Sequence, residues 1–231
     1  MANLNDLLIN LLFPRENYGK KGEYLLEDYK IEKTKYPMPE SYIKSPIDIM
    51  QYIIQAYERI MNKKVVVVNG RETEGLDFLI LDRDITIYFT DDINSEHEGV
   101  RGTKVNYPIQ GFVDRASFSR TGGAVFVRND RFYQVMPVIG HEIGHLVSEK
   151  ISDETLEEAK AYAFEFAWCN TITEHNIGNL NYPKMSRFRP SNSSPKHRRA
   201  FDFVMENFNQ EDPLRLFNDI TNRKSPFIPE V

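Results

Sequence analysis

Cysteine is almost missing from this chain. Cys169 is the only one in 231 residues, so no internal disulfide can form, and a reducing, cytoplasmic setting is the expectation. The same scarcity removes thiolate-rich zinc sites and leaves imidazole and carboxylate as the ligands for such an ion. There is no run of about 18 apolar residues, so no membrane-spanning helix is expected. Positive charge does not dominate either. The 29 Lys and Arg against 34 Asp and Glu leave a net charge of −5, which argues against nucleic acid as the main partner. Glycine and proline, 12 of each, are too few for a fibrous or low-complexity chain, and 12% aromatics speak against disorder. A basic leader is also lacking: Asp6 precedes the apolar stretch from Leu7 to Phe13, so that stretch is not read as a secretory signal. Leu4, Leu7, Leu8, Leu11 and Leu12 instead share one face of a helix that docks on the rest of the protein.

What is present is the pattern of an α+β domain. Three regions are expected: a helix and irregular arm over 1–45, a core over 46–175, and a helical extension over 176–231. Ile47 to Met61 has helical spacing, with Ser45 to cap it and Pro46 in the first turn. Lys64 to Val68, Phe78 to Leu81 and Ile85 to Phe89 read as strands, with a tight turn at Arg83-Asp84. Asp91 to Pro108 reads as a long surface loop, followed by strands within Ile109 to Phe118 and at Ala124 to Arg128. Two strong helices follow, near Asp130 to Lys150 and Asp153 to Ile172. Shorter ones are expected at His197 to Phe208 and Pro213 to Ile220. Helix, then strands, then helices indicates α+β rather than a doubly wound parallel sheet.

The chemistry lies in residues 141–145, His-Glu-Ile-Gly-His. Four residues apart on a helix, His141 and His145 share a face and can hold one metal ion. Glu142 is rotated from His141 by about 100° and can reach a water beside that ion without becoming a ligand. Neutral imidazoles suit zinc, and the carboxylate supplies the proton acceptor that hydrolysis needs. Apolar Val138, Ile139, Ile143, Leu146 and Val147 surround the three polar residues, and a buried helix with such groups needs a partner for them.

A catalytic zinc takes a third protein ligand. The metzincin continuation needs Gly at position 148 and His at 151, where this chain has Ser148 and Ile151. A carboxylate from the next helix is the alternative, and Glu154, Glu157, Glu158 and Glu165 compete, with Asp153 behind them. Leu156, Ala159, Tyr162, Ala163, Phe166, Ala167 and Cys169 form an apolar arc on that helix. Glu158 borders the arc, whereas Glu157 points away from it by about 100°. Dipole complementation accounts for Glu154 and Glu157 and leaves Glu158 as the leading candidate.

HExxH followed by Glu158-Ala159-x-x-Tyr162-Ala163 resembles the gluzincin metallopeptidases, and among them the ImmA/IrrE-type peptidases and the minigluzincins. Arg131-Phe132 and the short strand at Ala124–Val127 fit the same pattern, and the likeness covers about residues 110 to 170. Where those relatives carry Asn or Asp two residues after the ligand glutamate, this chain has Lys160. The resemblance implies a small twisted, mainly antiparallel sheet packed on an active-site helix and a glutamate helix, with extra helices at both ends. It implies a zinc-dependent endopeptidase in which Glu142 activates a zinc-bound water against a peptide or protein substrate. It also implies that Ala124, Val125, Phe126 and Val127 act as an edge strand pairing with the extended substrate.

Two other functions are carried along. One is a regulatory peptidase of the ImmA/IrrE type that cleaves a specific repressor or partner; the other is a non-catalytic, zinc-stabilised binding domain. Tyr133, Tyr162, Tyr182, His175 and His197 are unranked candidates for stabilising an oxyanion. Cys169 reads as core. Lys184 to Arg199 has six basic residues and no acid, and reads first as a solvated linker and second as a docking surface. The flanks at both ends are available to cover the cleft.

Overall fold

Ser45 and Pro46 do what their chemistry suggests. Ser45 Oγ accepts from Ile47 N at 3.3 Å, and Pro46 fills the first turn of helix α1, Pro46–Met61. The computed structural model describes residues 38–65, 67–71, 77–81, 85–105, 109–115, 121–182, 194–208 and 212–222. The expected helix over Leu4–Leu12, most of the arm, the Arg83-Asp84 turn and most of the basic segment from Lys184 lie outside these residues.

The strands are β1 (Val67–Arg71), β2 (Asp77–Leu81), β3 (Ile85–Thr90), β4 (Gly111–Arg115) and β5 (Gly123–Arg128). They form one mixed sheet in the order β1-β2-β3-β5-β4. Only the β3–β5 pair is parallel. Side chains alternate between the two faces, as period-2 geometry requires. Ile85, Ile87, Phe89, Val125 and Val127 enter the main core, while Phe112 and Phe126 stack on the opposite face at 4.6 Å between ring centres.

Strand order corrects one expectation. Ala124–Val127 lies inside β5, which is hydrogen-bonded to β3 on one side and β4 on the other, so it is not an edge. Among the described residues the outer strand on this side is β4. Spacing along the chain could not reveal this, because β4 comes first in sequence yet lies outside β5 in space.

Helix α2, Ile93–Arg101, replaces part of the expected loop. It buries only Ile93, so it carries little apolar signal, and its ends are made by polar chemistry. Asp92 Oδ1 accepts from Ser95 N at 3.2 Å, and Gly102 closes the helix with φ +65°.

Helices α3 (Phe132–Leu146) and α4 (Glu154–Glu174) pack side by side and carry the sequence motif. Two glycines set their separation. A Cβ on Gly140 would lie 2.6 Å from the Trp168 ring, and one on Gly144 would lie 2.8 Å from Phe164 Cβ and 3.1 Å from Ala161 Cα. Pro137 within α3 cannot donate to Tyr133 O, and the Tyr182 hydroxyl donates to that carbonyl at 3.0 Å instead. Asp153 caps α4, accepting from Thr155 N and Leu156 N.

Helices α5 (Pro195–Phe208) and α6 (Pro213–Thr221) pack against α4. Ala200, Phe201, Val204, Leu216, Phe217 and Ile220 join the same hydrophobic cluster as α1, α3, α4 and the sheet. Every residue of α4 from Ala159 to Cys169 is consequently buried. No helix among the described residues is long and apolar enough to cross a membrane.

Candidate metal centre

Four residues of helix bring His141 and His145 onto one face of α3, with their ring centres 5.1 Å apart. Helix α4 faces them with Glu158. His141, His145 and Glu158 each present one ligand atom, and these atoms lie within 4.8 Å of one another. Two imidazoles and a carboxylate form a donor set suited to zinc.

Glu158 Oε2 carries the local test of fit. It is buried, with His197 Nδ1 at 3.1 Å, His141 Nε2 at 3.4 Å and His145 Nε2 at 3.7 Å. None of these approaches has hydrogen-bond geometry among the described residues. An enclosed carboxylate oxygen among imidazole nitrogens without a well-formed hydrogen bond is an atom that a cation would satisfy.

The other acids have different work. Glu165 Oε2 is 3.1 Å from His141 Nδ1, and Glu157 Oε1 is 2.9 Å from His145 Nδ1. Each histidine thus meets a carboxylate with the nitrogen that faces away from Glu158, an arrangement that fixes the ring and its tautomer. Glu154 is exposed and pairs with Lys196 at 3.1 Å, and Asp153 is the helix cap.

Glu157 departs most from its expected place. It is buried, bound by Lys160 Nζ at 2.9 Å, Arg115 Nη2 at 3.0 Å and Ile151 N at 2.7 Å. The expectation from the apolar arc is that α4 keeps a solvent face opposite it. Packing by α3 on one side and α5 and α6 on the other removes that face. Lys160 is fully buried and also donates to Glu149 O at 3.1 Å. Arg115, at the end of β4, donates to His145 O and to Ser148 O. Its role has no signal in the sequence, since it depends on β4 lying beside α3.

Burial is the largest influence on each charge here. It would raise Glu158, but the imidazoles of His141 and His197 override it and hold that carboxyl well below the usual range. Burial also acts against Glu157, where hydrogen bonds from His145, Ile151 N and Lys160 win and bring it to about 2. Glu142 has no such bonds: burial, reinforced by Glu158 and Glu165, pushes it up to about 7 against the pull of His141 and Arg101. Burial depresses His145, whereas the carboxylates of Glu158 and Glu165 outweigh burial and lift His141 well above the ordinary imidazole value.

His141, His145 and Glu158 open into a cleft of about 470 Å³. Strand β4 forms one wall with Gly111, Phe112 and Val113, and Lys196 and His197 from α5 join the lining. Gly111 lets the strand approach the site. A Cβ there would lie 3.0 Å from both Glu142 Cγ and Glu142 Oε1. Gln110 O accepts from Arg128 N on the β5 side, so alternation turns the backbone groups of Gly111 and Val113 away from β5. Arg101 from α2 donates to Val113 O on that outer side.

Of the five oxyanion candidates, only His197 lines this cleft. Tyr182 is committed to Tyr133 O, Tyr162 packs its ring on His141 at 4.6 Å, and His175 lies at the far end of α4. Cys169 is buried in the core, where burial raises its thiol well above the usual value.

No protein-family model, curated protein or solved structure matches the chain. The functional reading therefore rests on these residues.

Proposed function

We propose that the protein is a zinc-dependent metallopeptidase of the gluzincin type, with His141, His145 and Glu158 as metal ligands and Glu142 as general base. The observation that carries this reading is convergence. Three ligand atoms from two helices meet within 4.8 Å, and a buried glutamate adjoins them at the wall of an open cleft. Bound zinc would supply a Lewis acid for the scissile carbonyl and lower the pKa of a bound water toward ~7.

The chain's own residues supply the rest. Glu142 takes a proton from the attacking water on its carboxylate and returns it to the leaving amine. Glu165 and Glu157 keep His141 and His145 in the tautomer that presents Nε2 to the cleft. The outer edge of β4, rather than Ala124–Val127, is positioned to pair with an extended peptide through Gly111 and Val113. Arg101 already shows that Val113 O accepts a donor from this side. A metal that only stabilised the fold would give Glu142 no use, and the Glu142 carboxyl makes no hydrogen bond among the described residues.

Zinc analysis with a quenched-fluorescence peptide assay tests the reading. Stoichiometric zinc and chelator-sensitive hydrolysis are expected in the wild type, and Glu158→Ala should lose most of both. A purified wild type with neither zinc nor hydrolysis contradicts the proposal.

A further inference from the structure

Helix α5 belongs to the expected extension, yet it sends one side chain directly to the ligand glutamate. His197 Nδ1 lies 3.1 Å from Glu158 Oε2, closer than either nitrogen of the HExxH histidines. The ring is braced from behind. Tyr162 meets His197 edge-on at 6.4 Å and Phe201 at 5.4 Å, and Phe201 in turn packs on Phe166 of α4. The same Tyr162 ring rests on His141 at 4.6 Å. One tyrosine thus touches a metal-site histidine of α3 and the imidazole of α5.

We infer that His197 is a positioning residue for the third ligand, so that the C-terminal helices complete the metal centre. This rests on the metallopeptidase reading of the same site and adds an element to it. A carboxylate oxygen has more than one lone-pair direction. With an ion on one of them, a turn of the His197 ring that aims Nδ1–H, already 3.1 Å away, at the other would keep the Glu158 carboxylate from rotating. Burial makes that contact consequential, because Oε2 is shut off from solvent and an interaction there is little screened. Glu165 and Glu157 orient the two histidine ligands in the same sense, which leaves Glu158 as the ligand whose orientation depends on a different part of the chain.

The test measures zinc affinity by chelator competition on the full chain, with apo-protein melting temperature and the visible spectrum of the cobalt-substituted protein as further readouts. His197→Phe keeps an aromatic ring against Tyr162 and Phe201 and removes the nitrogen. His197→Gln keeps a donor. His197→Phe should weaken zinc binding about 10–100-fold and alter the cobalt absorption at an unchanged apo melting temperature, and His197→Gln should recover most of the affinity. Wild-type affinity in His197→Phe overturns the inference. So does a loss that His197→Gln does not restore and that follows a lowered apo melting temperature, which would make His197 a packing residue only. A wild type that takes up no zinc overturns the metallopeptidase reading itself, and so is distinguishable from failure of this inference alone.

Discussion

His145 Nδ1 and Glu157 Oε1 lie 2.9 Å apart, joining the motif helix to the first turn of the helix that carries Glu158. Glu157 is also the shared anion for Arg115 and Lys160. Glu157→Gln would leave buried Lys160 and half-buried Arg115 without their counter-charge, while Glu157→Ala would also remove the anchor for Ile151 N. Either change should destabilise the fold by about 3–5 kcal/mol, the range for breaking a buried ion pair from one side. Urea denaturation of the metal-free protein measures this directly, and a change under ~1 kcal/mol would refute a structural role for the cluster.

Close approach of α3 and α4 depends on Gly144. Its hypothetical Cβ meets Ala161 backbone at 3.1 Å and 3.2 Å, and backbone cannot swing aside as a side-chain tip can. Gly144→Ala should cost about 1–3 kcal/mol by overpacking. In a chain of this size each kcal/mol lowers the melting temperature by roughly 2–4 °C. Zinc affinity should fall with it, because the helix spacing sets the distance between the two histidines and Glu158.

Gly111→Ala acts on the proposed base instead of the proposed ligands. The new Cβ would press on Glu142 Cγ and Oε1 at 3.0 Å and on Val138 Cγ1 at 2.8 Å. Zinc content should be unchanged while kcat/KM falls about 10–100-fold, the scale on which small misplacements of reacting groups are felt. Unaltered kcat/KM would show that Glu142 does not act from its position beneath β4.

Local spacing made part of this site legible. His141, Glu142 and His145 follow from helix periodicity alone, and Glu158 could be favoured because it borders the apolar arc of α4. The remainder depends on tertiary packing. The buried roles of Glu157 and Lys160 are hidden because one apolar arc facing a solvent side does not describe a helix covered by α3, α5 and α6. Ala124–Val127 is expected at an edge and is not at one, because chain order does not encode strand order and β5 is paired with β3 and β4. Helix α2 went unseen because it buries one isoleucine and is made by its Asp92 and Gly102 ends. His197 was visible only as one of several candidates, since its approach to Glu158 requires α5 to be docked.

Cys169 offers a control on the packing around α4. It is fully buried, and burial pushes its thiol well above the usual value. In the native protein it should not react with a disulfide reagent at mildly alkaline pH, and in denaturant it should react completely. Fast native labelling would mean that the core between α4 and its neighbours opens readily.

The central claim is that Glu142 does chemistry and the ligands do not need it. Glu142→Gln, assayed for zinc content and for peptide hydrolysis on the same preparation, tests that most directly. Full zinc occupancy with hydrolysis reduced at least about 100-fold is the predicted result. Zinc lost together with activity, or activity retained without the carboxylate, would contradict it.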